Sequence, residues 1–160
     1  DNSLLYFKIE SDFSLLSYSF YQCPHECLTY EQFLAEFEFD VEEAGHEFFN
    51  DYEIYLDGCG LKSNFSPIRY DYYPKDYRAG IHPASHFHIG LANEIRIGCE
   101  KILEPISFFL FVLRQMYPAY WDMMLKTKGI SQFHDWRKKN LQSVKPNVWT
   151  DMDFSELHLT

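Results

Sequence analysis

Apolar residues along this chain switch between two spacings, and each switch marks a change of element. Leu4–Glu10 and Ser14–Tyr21 alternate apolar with polar side chains around a turn at Asp12, which predicts a β-hairpin. From Thr29 the spacing lengthens. Phe33, Leu34, Phe37, Val41, Ala44, Phe48, Tyr52 and Tyr55 recur at three- and four-residue steps, so one long helix is expected, with a break near "EFEFDV". Thr29 and Gln32 supply a capping box at its start. The turn-rich run Asp57–Pro67 then leads into "SPIRYDYYPKDYRAGIHPASHFHIGLANEIRIG" (Ser66–Gly98), which reads as three short strands. A helix opened by Pro105 and ended or kinked by Pro118 follows. Its apolar positions run almost all round the axis, which predicts a buried helix. Further helices are expected around Tyr120–Lys126 and Ser131–Asn140, then an irregular tail packed by Trp149 and Phe154. The fold class is α+β, an antiparallel sheet packed on one face by helices and polar on the other.

The three strands sort their side chains by face, because successive residues of a strand point to opposite sides. Ile68, Tyr70 and Tyr72 point one way, and Arg69 and Asp71 the other. Phe87, Ile89 and Leu91 oppose His86 and His88, while Ile95 and Ile97 alternate with Glu94 and Arg96. A turn at Ala92–Asn93 makes the second and third strands a hairpin. If the first strand lies beside them, Arg69, Asp71, His86, His88 and Arg96 gather on one polar face. A wet sheet face needs only polar residues. This one concentrates acid–base and anion-binding groups.

Length and composition fit one domain with a substantial core: 160 residues, 46% hydrophobic and 19% aromatic. Three segments are distinguished within it. They are an acidic hairpin-plus-helix half (1–57), a basic sheet-plus-helices core (58–145) and an irregular tail (146–160). The net charge of −10 argues against nucleic acid as a partner, but its distribution reverses that. Residues 1–57 carry one basic side chain, Lys8, against fourteen acidic ones; residues 58–160 carry thirteen basic against ten acidic. The second half thus suits an anionic partner such as RNA, and the acidic first half could dock a protein partner. The longest apolar run, Ile106–Leu113, is too short to span a bilayer, so no membrane association is expected. "DNSLLYFKIESD" lacks the basic start and apolar core of a secretory leader. The chain opens on Asp1 rather than Met, which leaves room for a preceding segment. Cys23, Cys27, Cys59 and Cys99 are few for a secreted scaffold and read as thiols of a cytoplasmic protein.

The chemistry suggested by the polar face is metal-free RNA cleavage with no cofactor. Histidine exchanges a proton near neutral pH, so His86 and His88 suit general base and general acid roles. Arg69 offers a planar fork to phosphate oxygens and Asp71 can fix a histidine tautomer. Such a reaction needs the ribose 2′-hydroxyl, so DNA would resist. Arg96, His82, Lys75 and Arg78 are candidate substrate-binding residues, and Tyr72, Tyr73 and Tyr77 could stack on bases or simply pack. A competing use is a metal held by Asp71, His86 and His88, which Arg69 and Arg96 would oppose. "CPHEC" (Cys23–Cys27) has no second pair to complete a zinc site, and "WRKKN" (Trp136–Asn140) reads as a solvated helix end or, alternatively, as a basic cluster that grips a phosphate backbone.

"SPIRYDYYP", "HPASHFHIG", "IRIG" and "PISFFLFVLRQMYP" together resemble the core of an uncharacterised bacterial domain-of-unknown-function family with R-Y-D-Y and H-P-x-S-H segments. The resemblance spans Ser66–Trp121 and places Arg69, Asp71, His82, Ser85, His86, Gly90, Arg114 and Tyr117 on matching positions. The order R-Y-D…H-x-H is also similar to small toxin ribonucleases of the TumE type. That similarity implies an RNA-cleaving toxin or a bacterial defence component. The alternative is a non-catalytic interaction subunit of a defence or mobile-element complex.

Overall fold

The computed structural model describes residues 3–63, 67–90 and 95–160. In chain order the chain forms strands β1 (Leu4–Ile9) and β2 (Leu16–Tyr21) and helices α1 (Tyr30–Glu36), α2 (Val41–Ala44) and α3 (Phe49–Asp57). Strands β3 (Ile68–Tyr72), β4 (Ser85–Ile89) and β5 (Ile95–Cys99) follow, then helices α4 (Pro105–Met116), α5 (Pro118–Leu125), α6 (Ile130–Asn140) and α7 (Asp151–Ser155), and strand β6 (His158–Leu159). The protein is α+β, with one mixed six-stranded sheet in the order β1-β2-β3-β4-β5-β6. Strands β2 to β5 pair antiparallel, and β6 adds to β5 in parallel. The described residues form two compact units: Leu5–Tyr21 with Pro67–Thr160, and a smaller one of Ser3, Leu4 and residues 22–63. The hairpin at the start of the acidic half is therefore part of the sheet.

In the sheet unit, Leu16, Tyr18, Phe20, Ile68, Tyr70, Tyr72 and Phe87 form one buried layer with Phe108 and Val112 of α4. Tyr70 and Ser85 form a short hydrogen-bonded chain within it. Ser85 Oγ donates to the Lys101 carbonyl at 2.8 Å, so the Tyr70 hydroxyl donates to Ser85 Oγ at 3.0 Å and accepts from Leu103 N–H at 2.9 Å. Helix α4 buries Phe108, Leu110 and Val112, while Ile106 and Phe109 stay exposed, so the all-round apolar pattern overstated its burial.

In the smaller unit the break expected near "EFEFDV" forms, and a second break follows it, so the long helix becomes three. The capping box forms, with Gln32 N–H donating to Thr29 and Thr29 N–H to the Gln32 side chain. The stripe then breaks into three short helices. Glu38 takes a left-handed φ of 63°, and Asp40 caps α2 by accepting from Glu42 N–H at 2.6 Å. Phe33 and Leu34 pack with Ala44, Phe48, Tyr52 and Tyr55, so the predicted stripe still meets, across a folded-back chain. Local side-chain capping outcompetes a continuous helix here.

The tail is also more regular than expected. Thr150 and Asp153 form a capping box at α7, and Glu100 N–H donates to the Leu159 carbonyl beside β6. A two-residue strand carries no period; it forms because β5 offers an unpaired edge. Trp149 is buried, whereas Phe154 is half-exposed. Leu91, Glu94 and the turn at Ala92–Asn93 lie outside the described residues. All four cysteines are free thiols, and no described helix is long and apolar enough to cross a membrane.

Candidate functional site

Register assembles the site. β3 and β4 pair with Asp71 opposite His86 and Arg69 opposite His88, and β4 and β5 pair with His88 opposite Arg96 and His86 opposite Gly98. Because directly opposed residues share a face, the five predicted groups fall on one side of the sheet. On β2, Ser17 opposes Asp71. A cleft of about 320 Å³ runs over this face, lined by Arg69, Asp71, His82, His86, His88 and Arg96, with Ser17, Lys8, Tyr73 and Asp76 at its sides.

Hydrogen bonds order the centre. Arg69 Nε donates to Asp71 Oδ2 at 2.8 Å and Ser17 Oγ to Asp71 Oδ1 at 2.7 Å. His86 Nδ1 lies 2.7 Å from the Pro83 carbonyl, which can only accept, so this nitrogen carries the proton. The Nε2 of neutral His86 is then an acceptor, 2.9 Å from His88 Nε2. His88 Nε2 donates to it, with Asp71 Oδ2 3.4 Å from the same nitrogen. Both imidazoles are almost fully buried, at 2% and 3% exposure.

Titration behaviour follows from these contacts. Burial, and next the neighbouring His88, push His86 down to about 4, so it is neutral at pH 7. Burial acts to raise Asp71, but hydrogen bonds from His88 and Ser17 and the Arg69 charge outweigh it and hold the carboxyl at about 2. His82 is lowered by burial and then by the charges of Arg96 and Arg78. Its Nδ1 is buried with no hydrogen-bond partner among the described residues.

The supporting residues are less visible in sequence. Residues 78–82 close a tight loop in which Arg78 and His82 exchange backbone hydrogen bonds, and Gly80 supplies a φ of 66°. This loop brings Pro83 and His82 over β4; the His82 and His86 rings meet at 4.8 Å. Gly98 makes room for it: a Cβ there would stand 3.0 Å from Trp149 and 3.3 Å from Pro83. Sequence reasoning missed Ser17, whose only signal was its place on the polar face of an alternating strand. It also missed the Pro83 carbonyl, which a side-chain reading does not register.

Four predicted contributors fall elsewhere. Lys75 is exposed and lines a neighbouring hollow with Glu10 and Asp12, while Arg78 is exposed and does not line the cleft. Of the candidate stacking residues only Tyr73 lines the cleft. Tyr72 is buried in the core, and the Tyr77 hydroxyl donates to Asp153 at 2.6 Å. Asp71, His86 and His88 each offer a metal-ligating atom, all within 4.8 Å of one another.

No curated protein and no solved structure matches the chain. A family model does, over residues 1–159, so the match takes in the acidic half and the tail as well as the Ser66–Trp121 core. With its sheet-borne Asp–His–His–Arg cleft, the chain belongs to the family described as uncharacterized conserved protein DUF2290.

Proposed function

We propose that the cleft cleaves RNA by metal-independent acid–base catalysis, as an effector of a bacterial toxin or defence system. The observation that carries this reading is the convergence of Asp71, His86 and His88 with Arg69, Arg96 and His82 around one open cleft. In the reaction a base takes the 2′-hydroxyl proton and the 2′-oxygen bonds to phosphorus. The P–O5′ bond breaks, and an acid protonates the leaving 5′-oxygen. The attacking and leaving oxygens stand on opposite sides of phosphorus. Two nitrogens 2.9 Å apart cannot serve both. The geometry therefore favours His86 and His88 as one proton-holding unit, anchored by Asp71, with His82 as the second proton donor or acceptor. Arg69 and Arg96 bind the phosphate and offset charge growing on it.

His86→Ala is expected to lower cleavage of labelled RNA by about 10²-fold or more while the circular dichroism spectrum stays native. DNA of the same sequence should remain intact, and EDTA should leave the rate unchanged. Cleavage that persists in the variant removes the assignment; cleavage that stops with EDTA removes its metal independence.

A second reading, a non-catalytic interaction subunit, has its own support. The smaller unit exposes Phe37, Phe39, Val41, Phe49 and Ile54 among its acidic residues. An inactive but intact chain that co-purifies with one basic partner protein would select it.

A further inference from the structure

We infer that Asp71, His86 and His88 form a binding site for a borderline transition-metal dication, Zn²⁺ being the expected occupant, and that the ion acts as an inhibitor of the cleft. The three donor atoms converge. His86 Nε2 and His88 Nε2 are 2.9 Å apart, and Asp71 Oδ2 is 3.4 Å from His88 Nε2. Two imidazole nitrogens bound to one zinc at about 2.0–2.1 Å stand roughly 3 Å apart when they subtend a near-right angle. The imidazole pair already has nearly that spacing, and a modest rotation of the Asp71 carboxylate completes the triad.

Donors of a metal site are held from behind by an outer shell of hydrogen bonds. Here His86 Nδ1–H is fixed by the Pro83 carbonyl, which turns the Nε2 lone pair inward. Ser17 and Arg69 occupy one lone pair on each Asp71 oxygen. A carboxylate oxygen has a second lone pair, so Oδ2 can accept from Arg69 and bind an ion together. His88 must give up its Nε2 proton to solvent and take one at Nδ1, a tautomer change that leaves the net charge of the ring unaltered. Two nitrogens and one oxygen suit Zn²⁺, Co²⁺ or Ni²⁺ over Mg²⁺ and Ca²⁺. Arg69 and Arg96 beside the donors favour an anion in the open coordination position.

Binding stands on this geometry alone; the inhibitory consequence rests on the RNA-cleavage reading. An ion that takes both inward lone pairs removes the proton-holding unit, so Zn²⁺ would suppress the reaction.

Calorimetric titration of the full chain with Zn²⁺, in buffer free of chelators, tests the site. One equivalent is expected to bind, and Mg²⁺ to give no heat. Asp71→Asn should weaken Zn²⁺ at least tenfold, whereas Cys27→Ser, in the other cysteine- and histidine-bearing segment, should not. Since buried variants can misfold, the wild type supplies a second readout: zinc should shift the imidazole nitrogen NMR signals of His86 and His88. Absence of binding, equal binding of Mg²⁺, or zinc uptake that leaves those two rings unmoved would overturn the inference. These readouts do not involve RNA, so a chain that binds zinc yet cleaves nothing would refute the catalytic proposal and leave the metal site standing.

Discussion

The two faces of strand β4 are buried to the same depth by different means. Phe87 on one face is 3% exposed, and His86 and His88 on the other are 2% and 3% exposed. On the helix side, depth comes from apolar area, and Tyr70 and Ser85 close on the backbone at Lys101 and Leu103. Burial pushes the Tyr70 hydroxyl far above its ordinary range, so it stays a neutral hydrogen-bonding group. On the cleft side, imidazoles bury one another beneath the Pro83 loop. That network ends open: His82 Nδ1 lacks a partner among the described residues, and Arg96 is exposed on the cleft wall. A closed polar network rigidifies a core. An open one retains capacity for a ligand, and that asymmetry marks the site.

Three experiments separate the faces further, taken from the largest expected effect to the smallest. Phe108→Ala, which empties the centre of the helix side, should lower unfolding free energy by about 3–5 kcal/mol in urea while leaving cleavage per folded molecule intact. Matching losses of stability and turnover would show that the faces are not separable.

Acid should weaken the cleft side in two windows. The unfolded chain takes a proton on His86 near pH 6.5, which the folded chain refuses until about 4, so stability falls as pH drops through that interval. The loss is on the order of 3 kcal/mol. Asp71 adds stability present above its ordinary value of 3.8 and lost as pH falls toward about 2. Urea unfolding between pH 7 and 4 should show the first window, and His86→Ala should flatten it. A wild-type profile already flat there would contradict the buried neutral imidazole.

The smallest effects concern the outlying cations. Arg96→Ala, at the cleft, should reduce the slope of log affinity against log salt by about 0.7, one phosphate's worth on single-stranded RNA. Lys75→Ala and Arg78→Ala should change it by less, since neither lines the cleft. Equal slopes for all three would move the RNA path away from the cleft.

Much of this comparison is already legible in the residues. Alternation assigned Ile68, Tyr70 and Tyr72 to one side and Arg69 and Asp71 to the other, because a strand's period of two leaves no freedom once it is extended. The Phe33–Tyr55 stripe was legible too, and so was its break at "EFEFDV", where left-handed Glu38 and the Asp40 cap divide it. The second break, between α2 and α3, was not. Strand β6 had no signal of its own, being two residues long.

The sequence alone determined which side chains share a face and that an α+β fold with a polar sheet surface would follow, since pleat geometry is local. Only the tertiary structure decided that Asp71 stands opposite His86, that Ser17 reaches Asp71 from β2, and that Pro83 orients His86. Those relations depend on strand register and on a loop folding back over Gly98. They are set by contacts between residues far apart in the chain, which local spacing does not encode.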